Sequence, residues 1–230
     1  MLGWRWSFVV LAAVLAGLAV AVGRLLPDRA DSRGRSSGAP GSKVLAGVRR
    51  PAVLLMAGVI SLLALGHFTL YTYISPLLLH DGVGRTQVGA VLFGYGVGGV
   101  LGLALAGALV TRWPERALVG DVVLLLVSLV LGASVSSTPA VVVVVVLWGV
   151  GFGAFPTLTQ TVMLRAAGDA TDAATFLVNA TTNIGIAGGA LLGSRLLGVV
   201  EVPTLGWVGA ALVASSLLLF VLRRGRPAVT

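Results

Sequence analysis

No cysteine occurs among the 230 residues, which removes disulfides, thiolate metal sites and cysteine nucleophiles together. Charge is nearly as scarce. Only 10% of the residues are charged, where soluble domains carry roughly a quarter. The single lysine is Lys43, and the only histidines are His67 and His80. No metal-ligand cluster and no phosphate-binding glycine loop is present. These gaps exclude the usual catalytic constellations, so no catalytic residue, metal or cofactor is expected and the chain does not read as an enzyme.

What fills the sequence instead is apolar. Hydrophobic residues make up 57% and the mean hydropathy is +1.02. Several runs reach the length of about 18 to 20 residues needed to cross a ~30 Å hydrocarbon core. The chain therefore reads as an all-α polytopic membrane protein whose first partner is the lipid bilayer. Its net charge of +8 does not point to nucleic acid, because the charges sit in short segments between the apolar runs, as in membrane loops.

Seven spans are expected. The first covers 6–26, and the others fall near 52–79, 87–110, 117–135, 139–164, 173–199 and 204–222. A secretory signal would also begin with a basic residue and an apolar stretch, but this run is too long and its positive charge lies on the wrong side. Between the first and second spans, 27–51 is rich in Ser, Gly, Arg and Pro and reads as a flexible linker. The stretch from Arg24 to Arg50 alone holds seven of the sixteen basic residues. Placing it in the cytoplasm puts thirteen positive charges inside and three outside, a strong bias of the sign that orients membrane helices. The N-terminus is then outside, and the tail 223–230 is cytoplasmic.

The last six spans repeat a pattern in threes. The first of each triplet carries a proline near polar and aromatic residues: Tyr71, Tyr73 and Pro76 in one, Phe155, Pro156 and Gln160 in the other. The second of each is rich in glycine, with Gly98 and Gly102 matched by Gly188 and Gly189. Odd-numbered repeats of this kind are inverted across the membrane, an architecture common among secondary transporters.

Three stretches carry a family resemblance. His67-Phe-Thr-Leu-Tyr-Thr-Tyr-Ile-Ser-Pro76 is similar to the seventh helix of the major facilitator superfamily. Gly107-Ala-Leu-Val-Thr-Arg112-Trp-Pro-Glu-Arg116 resembles a C-half copy of its short basic loop. Trp148-Gly-Val-Gly-Phe-Gly-Ala-Phe-Pro156 with Asn179-Ala-Thr-Thr-Asn183 resembles helices ten and eleven. The resemblance is closest to drug and sugar efflux permeases of arabinose-efflux type and covers essentially the whole chain. It implies that 1–26 is equivalent to the family's sixth helix, that 27–51 is the central cytoplasmic linker, and that 52–222 is the C-terminal six-helix bundle of two inverted three-helix repeats. The family's first five helices are then missing, because of a miscalled start, a broken gene, a separate chain or pairing of two copies. A plasma-membrane carrier, moving a small molecule outward with protons as a candidate coupling ion, is the implied function.

Some residues stand out within the spans. His67, Tyr71 and Ser75 recur every fourth residue and so share a helix face, as do Asn179 and Asn183. Intramembrane polar groups of this kind line either a solute cavity or a helix contact, and His67, Tyr71, Asn179, Asn183 and Gln160 are the cavity candidates. The two amides are expected to point into the bundle. Pro76 and Pro156 are hinge candidates, Gly98, Gly102, Gly188 and Gly189 packing positions, and Arg112 and Arg116 the cytoplasmic basic loop. Trp148 and Phe152 read as packing. Asp121, the one acid inside an apolar run, is expected to pair with Arg116 or interfacial water. Other functional classes weigh less. A seven-helix receptor fits the helix count, yet Lys43 lies in the linker and leaves no span a Schiff-base site for retinal. A non-transporting scaffold subunit is the remaining alternative.

Overall fold

The computed structural model describes residues 4–25 and 47–224. All regular elements among them are helices: α1 (Trp4–Leu25), α2 (Pro51–Tyr71), α3 (Ile74–His80), α4 (Val88–Val110), α5 (Pro114–Ser134), α6 (Thr138–Ala167), α7 (Thr171–Leu196) and α8 (Val202–Arg224). Six of these, α2 and α4 through α8, are long and apolar enough to cross a membrane. The expected first span falls on α1, a 22-residue helix in a unit of its own, which is not among those six. The linker segment 26–46 and the end of the tail lie outside the described residues.

Proline sets several helix starts. Pro51, Pro114 and Pro139 occupy first-turn positions, where the missing N–H would have no helical partner anyway and φ is already fixed near the helical value. Pro76 acts differently. The sequence predicts one helix over 52–79, but the chain stops being helical at Tyr71 and restarts at Ile74. In a continuous helix the residue at 76 would donate to the Thr72 carbonyl. Proline cannot, and its ring would collide with that carbonyl. The helix yields at Thr72 and Tyr73, which turns Pro76 into a first-turn residue of α3.

Within the unit holding α2 to α8, the packing exchanges partners between the two triplets. Helix α2 packs mainly on α7 and α8, while α6 packs mainly on α4 and α5. The α5–α8 contact pairs the third helices. Interchanging the triplets maps each of these contacts onto another, the pattern of a pseudo-twofold axis between inverted repeats. That supports the repeat predicted from the glycine pattern.

Small residues let this happen. Helix α4 buries Val91, Tyr95, Gly98, Gly102 and Ala106, one stripe at helical spacing. A β-carbon on Gly98 would strike the Val146 carbonyl oxygen of α6, and one on Gly102 the Val150 carbonyl oxygen. In reverse, Gly149 and Gly153 of α6 lie against the backbone of Tyr95 and Gly99. The second copy matches. A β-carbon on Gly189 would fall 2.6 Å from the Leu65 carbonyl oxygen of α2, whereas Gly188 faces only the Leu65 side chain, at 3.1 Å. Lipid tails give no hydrophobic drive for helix association, so close backbone approach of this kind supplies the dispersion contacts that hold membrane helices together. Bulky residues on the far sides, such as Phe93 and Val100 on α4 and Phe176 and Ile184 on α7, stay exposed.

One polar contact closes an end of the bundle. The Arg50 guanidinium, just before α2, donates to the Ala167 carbonyl at the C-terminus of α6, where the helix dipole favours a cation. Arg50→Met is expected to lower stability by about 1 kcal/mol, the scale of one such bond, read as a drop of a few degrees in the thermal midpoint in detergent.

Candidate functional site

His67 lies about one turn before the C-terminal end of α2 and is buried, 1% exposed. Its nearest polar contact is the Trp148 indole of α6, whose Nε1 donates to His67 Nδ1 at 3.0 Å. An indole N–H is only a donor, so Nδ1 must accept and the proton of the neutral ring sits on Nε2. That nitrogen is buried and has no hydrogen-bond partner. Around the imidazole lies a cluster of rings. Phe152 stacks on it at 4.1 Å with an 8° interplanar angle, and Tyr71 lies nearly parallel at 5.2 Å. Phe68 and Trp148 meet it edge-on. Tyr95 of α4 joins through Tyr71, 5.2 Å between centroids. His67 and Tyr71 do share a face, as their spacing predicts. Ser75 leaves that stripe because the break at Thr72–Tyr73 intervenes.

Beside this cluster, α2, α6 and α7 enclose a cleft of about 160 Å³. Phe68, Phe152 and Phe155 form its aromatic side, and Gln160, Asn179, Thr182 and Asn183 supply polar groups. Among the described residues, no charged side chain lines it. Three of the five cavity candidates therefore meet in one place. The other two, His67 and Tyr71, stand behind Phe152, which touches both them and the cleft.

The asparagines differ from expectation. Both are exposed on the bundle surface rather than pointing into it. The inward face of α7 is taken by Gly185, Gly189 and Gly193 against α2, a spacing that leaves no room for an amide. Each asparagine satisfies its donor locally: Asn179 Nδ2 to the Thr175 carbonyl at 3.0 Å, and Asn183 Nδ2 to the Asn179 carbonyl at 2.8 Å. Such back-bonding to the preceding turn leaves the Oδ1 acceptors for the cleft.

Pro156, the other hinge candidate, lies inside a helix. Helix α6 runs unbroken from Thr138 to Ala167 through that proline. Pro156 removes the N–H that would bond the Phe152 carbonyl, and nearby Thr159 donates its hydroxyl to the Phe155 carbonyl at 2.7 Å. Trp148 is packing, as expected, whereas Phe152 both packs and lines the cleft. Sequence reading names Phe155 only as a neighbour of Pro156 and misses Phe68 and Tyr95 as ring neighbours. Only the two on α2 and α6 gave a signal, as aromatics flanking residues already singled out.

Farther along, the basic loop places the Arg112 guanidinium over the Trp113 ring at 5.4 Å, and Arg116 stands exposed on the first turn of α5. The expected pairing of Arg116 with Asp121 does not form. Both Asp121 carboxyl oxygens are buried with no hydrogen-bond partner. Arg116 and Asp121 are five residues apart, about 7.5 Å of helix rise, and not at the three- or four-residue interval that makes side chains neighbours on a helix.

Comparison with known proteins agrees on one family. The sequence profile described as Major Facilitator Superfamily matches residues 1–190 and 59–230. A probable sugar efflux transporter of Mannheimia succiniciproducens is 34% identical over 223 residues, covering 96% of this chain and 55% of that protein. Proteins of the same description from Haemophilus influenzae and Helicobacter acinonychis are each 30% identical, covering 95% and 96% of this chain and 54% and 56% of theirs. The chain spans about half the length of the curated relatives it matches.

Proposed function

Because this chain belongs to the Major Facilitator Superfamily, we propose that it forms the C-terminal bundle of a two-bundle secondary carrier whose cleft receives a neutral, hydroxyl-rich solute such as a sugar. The carrying observation is the make-up of the cleft: amide and hydroxyl groups on one side, three phenylalanine rings on the other, and no charge. Uncharged polar groups can trade hydrogen bonds with hydroxyls at little desolvation cost, whereas a charged solute would stay unpaired there. The relatives' description as probable sugar efflux transporters points the same way. Rocking of one bundle against another around a site between repeats is how such carriers alternate access. The partner bundle would cover the open side of the cleft, as part of the same gene product, a separate chain or a second copy.

Charge distribution supports an orientation in which the N-terminus as recorded lies outside, the segment 27–51 and the C-terminus lie in the cytoplasm, and the membrane is the cytoplasmic one. Direction of transport follows the relatives as efflux, with protons the candidate coupling ion.

Equilibrium binding of labelled mono- and disaccharides to the chain in lipid nanodiscs tests the reading. Asn183→Ala and Gln160→Ala are each expected to weaken the best-bound sugar about tenfold, the value of one hydrogen bond to a hydroxyl in a dry site. A panel in which no sugar binds, or binding indifferent to both substitutions, would overturn it.

A further inference from the structure

A second cavity, of about 340 Å³, lies between α4, α5 and α6. It shares no residue with the sugar cleft. Val150, Ala154 and Leu158 of α6 line it, while Phe152, Pro156 and Thr159 line the cleft, so the two hollows flank α6 on opposite faces. Its walls are apolar apart from two ionisable groups, Asp121 and Arg116.

Asp121 has no structural role that satisfies it. It is 6% exposed, both its carboxyl oxygens lack a partner, and it lines the cavity. A carboxylate only accepts hydrogen bonds. Buried without a donor its charged form is costly, and a donor, best of all a cationic one, stabilises that form. Arg116 is not that donor here, since it is exposed on the turn before and makes no bond to Asp121. Access is from the side. Leu105 and Leu109 of α4 and the neighbouring Trp113 line the cavity and are 54%, 41% and 49% exposed on membrane-spanning or flanking segments.

We infer that this cavity binds a single-tailed cationic amphiphile: an alkyl or aryl amine whose ammonium meets Asp121 and whose tail lies along the leucine wall toward the bilayer. Size separates it from a two-chain phospholipid, because the volume sits at the small end of ordinary ligand pockets. The role is distinct from carriage of a neutral solute through the cleft, and it stands whether or not that solute is a sugar.

Trp113 supplies the readout, since bromine quenches indole fluorescence at contact. The full chain is placed in nanodiscs of phosphatidylcholine alone, and the Trp113 contribution is taken as the difference from Trp113→Phe. Bromine-tailed dodecylamine is compared with the bromine-tailed alcohol of the same chain length. The amine is expected to half-quench at about a tenfold lower concentration than the alcohol, a charge-assisted bond being the difference. In Asp121→Asn the two should quench alike. Gly120→Leu places a side chain where a β-carbon meets nothing within 4 Å, fills the cavity, and should abolish saturable quenching by both probes. Equal quenching by amine and alcohol in the unaltered chain overturns the inference. So does an amine preference that survives in Asp121→Asn, or saturable quenching that survives in Gly120→Leu. Should Asp121→Asn fail to fold, the amine-to-alcohol ratio and the Gly120→Leu result still decide.

Discussion

Gly102→Val is expected to cost the bundle at least about 3 kcal/mol, the upper part of the range for overpacking a close-packed contact. The reason is the nature of what stands in the way. A β-carbon at 102 meets the Val150 carbonyl and the Ala154 amide nitrogen, which are backbone atoms that no rotamer change can clear. Relief requires α4 and α6 to move apart, and the separation would also open the contacts at Gly98, Gly149 and Gly153. The pseudo-twofold arrangement makes a paired expectation. Gly189→Val should behave alike, since its β-carbon meets the Leu65 carbonyl at 2.6 Å, while Gly188→Ala should be mild because only the Leu65 side chain must give way. Thermal unfolding in detergent, or the monodisperse fraction after extraction, reads the difference. A Gly102→Val chain as stable as the parent would show that α4 and α6 do not touch as described.

Trp148→Ala is the second large effect. Trp148 is 1% exposed and touches His67, Tyr71 and Tyr95 edge-on, so its removal leaves a cavity among rings. In a soluble core such a deletion costs about 3 to 5 kcal/mol. Within a bilayer the water-to-core transfer part is absent, because the alternative surroundings are also apolar, and the lost contacts remain. About 3 kcal/mol is therefore expected, a fall in the thermal midpoint on the order of 6 to 12 °C for a chain of this size. Trp148→Phe separates the hydrogen bond from the volume: it keeps a ring but strips His67 Nδ1 of its donor. A double-mutant cycle with His67→Leu should give a coupling near 1 kcal/mol. Zero coupling would mean that the Nε1–Nδ1 contact contributes nothing net.

Much of the architecture was legible in advance because a membrane simplifies the problem. A helix must satisfy every backbone group internally, so each apolar run is helical to within a few residues of its expected ends, with the 52–79 run divided at Thr72–Tyr73. The resemblance carried the family and the order of helices. Misreadings came where the outcome depended on partners that a run of letters does not name. Pro76 was noticed as a hinge, yet the break falls four residues upstream, at the carbonyl its ring would strike. Asn179 and Asn183 were sent inward on the argument that amides avoid lipid. Their helix instead spends its inward face on glycines, and the amides bond to their own backbone. Distance in sequence pairs Asp121 with Arg116, but five residues is not a facing interval on a helix. Among the cavity candidates, Gln160, Asn179 and Asn183 came together and His67 with Tyr71 settled one layer behind, and nothing in their spacing distinguished the two groups.

The exchange of partners between triplets has a consequence for biosynthesis. Tyr71 closes α2, and Thr171, which opens its main partner α7, lies 100 residues downstream. At about 5 to 20 residues per second, α2 waits roughly 5 to 20 s in the membrane before that partner is made. Neither triplet can mature as it emerges, because the glycine stripe of each middle helix fits only the first helix of the other. Assembly is therefore a late, concerted event near the end of translation. Until then, the α2 face that will receive the α7 glycines, formed by Ala64, Leu65 and Thr69, is where a membrane chaperone, or a second nascent copy, would find its handhold.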